Sequence, residues 1–294
     1  MPRVAIIGAG GQLGRELRLR LGENALPLLH ADMELTDAAS IRSTLERLSP
    51  AAVINAAAYN LVDQAESDPQ AALQVNAAGV GMLARECLQR EIPCVHVSTD
   101  YVFGADTNRT IPYAESDQTG PVNAYGVSKL AGEMLVRIGT PQHLIVRTCG
   151  LYGQPNANSK GNFVRTIQKL ALSRDEISVV NDQRCTPTSA ADLAAAILEL
   201  LDSGRWGTYH ATNRGDCSWY DLAVEVVKHL GSPTRVVPCT SAQFPRPARR
   251  PGYSVLDCSR LEKTIGRPLP NWREAVANYL RSSDPESSAS ISGR

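Results

Sequence analysis

Apolar residues in this chain fall into short uninterrupted runs, separated by longer stretches in which they recur every three or four positions. The runs are VAIIG (4–8), LPLLH (26–30), AAVINAAA (51–58), CVHVSTD (94–100) and HLIVRT (143–148). Runs that are apolar at nearly every position predict strands covered on both faces. Between them lies QAALQVNAAGVGMLARECL (70–88), where Ala72, Val75, Gly79, Met82, Leu83 and Cys87 mark the stripe of a core-facing helix. Strands alternating with covering helices imply parallel βαβ units. The fold class is therefore α/β, a Rossmann-type doubly wound parallel sheet with a smaller α/β substrate lobe.

After Gly153 the pattern loosens into the polar loop QPNANSKGN, a strand-like ISVVND, a helical ADLAAAILELL and short elements broken by Pro and Gly. Residues 1–150, with parts of 162–212, read as a dinucleotide-binding domain, and 151–161 with 213–281 mainly as the lobe. Pro245, Pro247 and Pro251 interleave with Arg246, Arg249 and Arg250 in a stiff, basic, non-helical segment. The stretch 282–294, SSDPESSASISGR, has the composition of a disordered tail.

Composition narrows the classes of function. Lys plus Arg and Asp plus Glu both total 30 in 294 residues, so no net field recruits nucleic acid or an anionic membrane. The seven cysteines are odd in number and contain no C-x-x-C pair, which points to reduced, mostly buried thiols. The five histidines show no ligand spacing, so no catalytic metal is expected. With no apolar leader and no membrane-length apolar run, a cytoplasmic location is expected.

Candidate chemistry begins at GAGGQLG (8–14). A G-x-G-x-x-G turn starting at Gly8 would need glycine where Leu13 stands, whereas Gly8, Gly11 and Gly14 fit G-x-x-G-x-x-G. Such a turn lets backbone amides approach a pyrophosphate at a helix N-terminus. Further on, Tyr125 and Lys129 are four apart and share a helix face. A lysine cation favours the ionised phenol, which equips Tyr125 to exchange a proton with a carbonyl oxygen. The string also arises by chance in a chain with nine tyrosines, so context has to support it. Ser98, Thr99 and Asp100 end a predicted strand, where ligands of parallel sheets gather. Alone, Thr99 reads as a turn residue; in this company it reads as a hydroxyl that holds a carbonyl.

These strings together resemble the dTDP-4-dehydrorhamnose reductase family, in the sugar-nucleotide branch of the extended short-chain dehydrogenases/reductases. The resemblance runs from residue 4 to about 280 and includes NAAAYNLVDQAE (55–66), VNAAG (75–79), STDYVF (98–103), NAYGVSKLAGE (123–133), RTCGLYG (147–153), NDQRCTPT (181–188) and RPARRPGYSVLD (246–257). It implies an NAD(P)H-dependent oxidoreductase that reduces the C4 ketone of a nucleotide-linked deoxysugar, most closely dTDP-4-dehydro-L-rhamnose. Tyr125 would protonate the oxygen, Thr99 would bond it, and Lys129 would lower the tyrosine's pKa and hold the nicotinamide ribose. Related dehydratases follow the threonine with an Asp-Glu pair, whereas here Asp100 and Tyr101 follow it, which favours reduction over elimination.

The same resemblance assigns the cofactor to Gly8, Gly11, Gln12, Leu13 and Gly14, to Ala56, Ala57 and Ala58, and to Asn76, which otherwise faces solvent. Asp32 suits a ribose hydroxyl and so NADH, Glu34 or Leu35 borders the adenine, and the family leaves NADPH open. Thr99, Asp100, Tyr101, Gly150, Asp182, Arg249 and Arg250 form the expected substrate set, the arginines clamping a diphosphate. Trp219 and Tyr220 read first as core anchors of the lobe. The family often carries tryptophan where this chain has Gly150, which removes a stacking wall. A homodimer is compatible with the pattern. Two alternatives stay open: a regulatory subunit resembling the β subunit of methionine adenosyltransferase, and a sugar-nucleotide 4-epimerase.

Overall fold

The computed structural model describes residues 2–154 and 161–282. Most of the polar loop after Gly153 and the expected disordered tail beyond Ser282 lie outside the described residues. Ser282 itself closes a helix, Trp272–Ser282.

The five apolar runs become β1 (Val4–Ile7), β2 (Ala25–Leu28), β3 (Ala52–Asn55), β4 (Cys94–Thr99) and β5 (His143–Thr148). The remaining strands are β6 (Leu151–Tyr152), β7 (Glu176–Val180), β8 (Arg184–Cys185), β9 (Thr188–Ser189), β10 (Gly207–His210), β11 (Cys217–Ser218) and β12 (Arg235–Cys239). The main sheet is six-stranded, in the order β2-β1-β3-β4-β5-β10, and every pairing in it is parallel.

Successive side chains of a strand point to opposite faces, and the two cores follow that alternation. Val4 and Ile6 pack with Leu13, Leu17, Leu193 and Ile197 on one face. Ala5 and Ile7 pack with Ile41, Leu45 and Leu83 on the other. Helices Gln12–Leu21 and Ala190–Ser203 cover the first face, and Ala38–Leu48 and Val80–Gln89 the second. β2 and β3 flank β1 on opposite sides, so the order of strand addition reverses there and opens a crevice at the strands' carboxyl ends.

A separate cluster holds Ile167, Ile177, Val179, Leu222, Val226 and Trp272. It is built by helices Phe163–Ala171, Trp219–His229 and Trp272–Ser282 and by the parallel pair β7 and β12. The chain threads repeatedly between the two units. Residues 246–257 return toward the sheet, where Leu256 packs with Val102, Phe103 and Tyr113. Helix Ser259–Ile265 then lies on the main sheet, with Leu261 and Leu269 in its core. This segment departs from the reading of 213–281 as mainly lobe.

The helix expected over 70–88 forms in three parts: Pro69–Leu73, a wider π-helical stretch Gln74–Gly79, and Val80–Gln89. Among the described residues no helix is long and apolar enough to cross a membrane.

Candidate active site

The glycine turn follows directly from β1. Gly8 adopts φ +78°, a region open chiefly to glycine, and a Cβ there would stand 2.7 Å from the Ala57 nitrogen. A Cβ on Gly14 would stand 2.3 Å from the Gly8 carbonyl oxygen. These two positions need glycine for the fold itself. Gly11 differs, because its Cβ would meet only the Gly8 oxygen, at 3.3 Å. It begins helix Gln12–Leu21, whose first turn has neither a side-chain cap nor an acidic residue. Uncapped amides at a positive helix end suit an anion, so the turn fits a dinucleotide pyrophosphate. Leu13 turns its side chain into the core and Gln12 accepts from Asn162 Nδ2 at 2.7 Å, so what the turn offers a ligand is mainly backbone. Ala56, Ala57 and Ala58 are half-buried beside it. The Ala56 nitrogen donates to the Ile7 oxygen at 3.0 Å, and the Ala57 nitrogen to Asn55 Oδ1 at 3.1 Å.

Beyond β2, Asp32 is exposed and accepts from the Leu29 nitrogen at 2.8 Å, closing the turn. Glu34 accepts from the Thr36 hydroxyl at 2.7 Å and its nitrogen at 2.9 Å, which holds its carboxyl below the usual range. Leu35 is buried among Ile41, Val80 and Leu83, so it is a core residue and not an open edge for the adenine.

Tyr125 and Lys129 lie on helix Ala124–Gly139, whose start is fixed by Asn123 Oδ1 accepting from the Gly126 nitrogen at 2.7 Å. Glu133 anchors the same helix beneath them. It accepts from Arg147 Nε at 2.9 Å and Nη2 at 2.8 Å, and from Ser98 Oγ at 2.6 Å. Burial alone would raise the Glu133 carboxyl, but these donors and Arg137 hold it below its ordinary value.

Thr99 accepts from the Tyr101 nitrogen at 3.1 Å and donates to Asp100 Oδ1 at 3.1 Å. Burial and the Asp100 carboxylate push the Tyr125 phenol up, and a hydrogen bond with Thr99 pulls it part of the way back. The Tyr101 ring meets that of Tyr125 edge-on, with centroids 6.0 Å apart. Lys129 is turned inward: Nζ donates to the Val97 oxygen at 2.7 Å and stands 3.3 Å from His96 Nε2. Burial brings its pKa down to about 8, against the pull of Glu133. In this arrangement the lysine does not lower the tyrosine, contrary to the expectation from their spacing, because its amine is buried behind the strand.

Several expected ligand contacts are already in use. Asp100 is buried and accepts from Cys149 Sγ at 3.0 Å and Ser254 Oγ at 2.5 Å, so it ties segment 246–257 to β4. Asn76 is buried, not solvent-facing. Its Oδ1 accepts from the Tyr59 nitrogen at 2.8 Å, and its Nδ2 donates to the Tyr59 oxygen at 3.0 Å and Ser128 Oγ at 2.9 Å, so both amide protons are spent within the protein. The π-helical stretch carries Asn76 to this place, and Gly132, whose Cβ would come 2.1 Å from the Asn76 oxygen, lets the helices close on it. Asp182 is exposed and engaged with Ser241, accepting from its nitrogen at 2.9 Å and its hydroxyl at 2.8 Å.

Arg250 pairs with Asp63, donating to Oδ2 at 3.0 Å. Arg249 is exposed, and its carbonyl accepts from Asn123 Nδ2 at 2.7 Å. Gly150 has φ +52°, and a Cβ there would lie 3.4 Å from Trp219 Cη2. The wall that Gly150 was expected to lack is thus filled from another element. Trp219, read from sequence as a core anchor, also stands against Phe163, centroids 4.8 Å apart. The two rings line a cavity of about 480 Å³ together with Tyr101, Gln183, Arg246 and Arg250. No sequence signal marked Phe163, since its cavity partners come from distant parts of the chain. Among the described residues no cluster of His, Cys, Asp or Glu is arranged to hold a metal.

With this geometry in view, comparison with known proteins places the chain. The model of the RmlD substrate binding domain matches residues 2–284. The chain belongs to this family. It is similar to dTDP-4-dehydrorhamnose reductase of Mycolicibacterium smegmatis, 41% identical over 95% of this chain and 85% of the relative. It is also similar to a probable dTDP-4,6-dihydroxy-2-methyloxan-3-one 4-ketoreductase of Streptomyces antibioticus, 43% identical over 93% of each. Among solved structures, dTDP-4-dehydrorhamnose reductase of Bacillus anthracis in complex with NADP superposes with a TM-score of 0.91 at 34% identity, covering 96% of this chain and 99% of that one. The RmlD-family sheet is the doubly wound α/β arrangement that the alternating runs predict.

Proposed function

We propose that this RmlD-family chain reduces the C4 ketone of a dTDP-linked 6-deoxysugar, with dTDP-4-dehydro-L-rhamnose as the foremost substrate. The observation that carries this reading is the Tyr125 phenol brought beside Thr99, the last residue of β4, at the carboxyl ends of the strands and in the crevice that begins at the Gly8 turn. A reduced nicotinamide dinucleotide, NADPH or NADH, held at Gly8, Gly11 and Gly14 supplies the hydride for C4.

The chain's own residues supply the rest. Tyr125 is kept protonated by burial and by the Asp100 carboxylate, so at neutral pH it enters the reaction as an acid. The ketone oxygen takes the place of Thr99 as acceptor of the Tyr125 proton. Carbon gains the hydride, oxygen gains the proton, and the product is a secondary alcohol. Tyr125 leaves the step as phenolate, and Lys129, one helical turn on, is the nearby base whose protonated form offsets that charge. Trp219 and Phe163 give the cavity apolar walls, and Arg246 and Arg250 bring positive charge to its edge for a diphosphate. The RmlD-family relatives bear dTDP-linked names, which supports this substrate class.

The test follows reduced-nicotinamide absorbance with dTDP-4-dehydro-L-rhamnose, using NADPH and NADH separately, for the native chain and Tyr125→Phe. Turnover that drops by about 10²-fold or more in the variant, with dinucleotide binding retained, supports the proposal. Binding without turnover in the native chain overturns this substrate and favours a regulatory subunit. Stoichiometric NAD retained through purification favours an epimerase.

A further inference from the structure

Lys129, His96 and Asn55 form a buried chain behind the reacting face, each fully or almost fully shielded from solvent. Asn55 ends β3, His96 lies in β4 as the middle member, and Lys129 reaches the far side of the His96 ring from its helix. Asn55 Oδ1 accepts from the Ala57 nitrogen at 3.1 Å. A backbone N–H is an obligatory donor, so this contact fixes which end of the Asn55 amide faces which neighbour. The other end, Nδ2, faces His96 Nδ1 at 3.3 Å and can only donate. Nδ1 must then be the bare acceptor. A neutral imidazole carries one proton, which the Asn55 contact leaves on Nε2, and Nε2 stands 3.3 Å from Lys129 Nζ. Burial holds the His96 ring neutral, its pKa well below the ordinary value.

An ammonium at Nζ would therefore put donor against donor. A neutral amine fits: its lone pair accepts from Nε2–H, while one N–H donates to the Val97 oxygen at 2.7 Å. We propose that His96 is a positioning residue that weakens the hold of Lys129 on its proton in the ligand-free protein, through an Nε2–H aimed at its amine. This rests on reading Tyr125 and Lys129 as the reacting pair.

The charged neighbours leave the assignment standing. Glu133, one turn along the helix, favours the ammonium, but its carboxylate is matched by Arg147 from β5 and by Arg137. Tyr125, one turn back, is protonated, and Asp100 acts on Tyr125. The lysine then holds its proton more weakly beside His96 than it does once the amine is drawn out toward a ligand.

The test uses the full chain without ligand. Nitrogen-15 shifts of the His96 ring report the tautomer, and the Lys129 Cε shift reports its titration. The proposal expects Nε2 protonated, Nδ1 bare, and a lysine midpoint near 8. In His96→Gln the side chain can turn Oε1 to the amine, and the midpoint rises by about one unit or more. Protonation on Nδ1, a native midpoint above about 10, or a midpoint unmoved in a folded His96→Gln protein overturns the proposal. Should the variant fail to fold, the native histidine shifts decide by themselves. Because none of these readings involves turnover, failure of the proposed reductase activity is seen separately.

Discussion

Gly11 and Gly14 share one turn yet serve different ends. A methyl on Gly14 collides with the Gly8 backbone, so Gly14→Ala is expected to lose about 1–3 kcal/mol of stability, read by urea unfolding. Gly11→Ala has an ordinary φ of −80° and meets only the Gly8 carbonyl oxygen, at a tight 3.3 Å, so its stability should fall by no more than about 1 kcal/mol. Its methyl stands at the uncapped helix start, and the dinucleotide Kd should rise about tenfold by fluorescence titration. Arg250 gives a third case. Lysine in its place keeps the charge but loses the planar fork. Arg250→Lys is expected to raise the KM for the sugar nucleotide about tenfold with a smaller change in kcat, and equal loss in both would place Arg250 at the reacting atoms. The glycine turn, Tyr125 and Lys129 were legible because each signal sits within seven residues of sequence. The burial and partners of Asp100, Asn76 and Leu35 were not legible, because groups such as Ser254 and Tyr59 are brought to them only by the fold.

Between elements, the anchor of the reacting helix is electrostatic. Arg147 and Glu133 are buried together, and removing one partner strands the other charge. Arg147→Met should cost about 3–5 kcal/mol in urea unfolding, whereas the exposed pair Arg235 and Glu176 should be worth less than about 1 kcal/mol. The Glu133 carboxyl is depressed in the fold, so its contribution is full above the ordinary carboxylate pKa and fades as pH falls toward the folded value. Five of the six main strands were readable as apolar runs, since packing on both faces imposes them, whereas β10, with the sequence GTYH, has no such run and joins the sheet only at its edge. The π-helical stretch was not, because its apolar stripe continues through Val75 and Gly79 while only the turn width changes. Trp219 completing the wall at Gly150 was equally hidden, since the two meet across separate elements.

For the whole molecule, two buried histidines set the response to acid. His96 and His210 are fully buried, His96 well below its ordinary pKa and His210 pushed down to about 3 by burial and Arg147. The unfolded chain binds those protons below about pH 6.5 while the folded chain refuses them. Stability therefore falls as pH drops through 6.5, by about 1.4 kcal/mol per unit for each ring, until the folded histidines themselves protonate. Urea midpoints at pH 7, 6 and 5 should decline steadily, and a flat profile would contradict neutral buried rings.

The threading of the chain has its own consequence. It leaves the sheet after β5, rejoins it at Ala190, departs after β10, returns along 246–257 and departs again for helix Trp272–Ser282. No single peptide cut separates the two clusters, so neither is a transplantable module. Differential scanning calorimetry should give one endotherm with calorimetric and van't Hoff enthalpies in agreement. The cavity walls and the reacting helix would then be lost in one event, and heat inactivation would track that endotherm with no separately melting half.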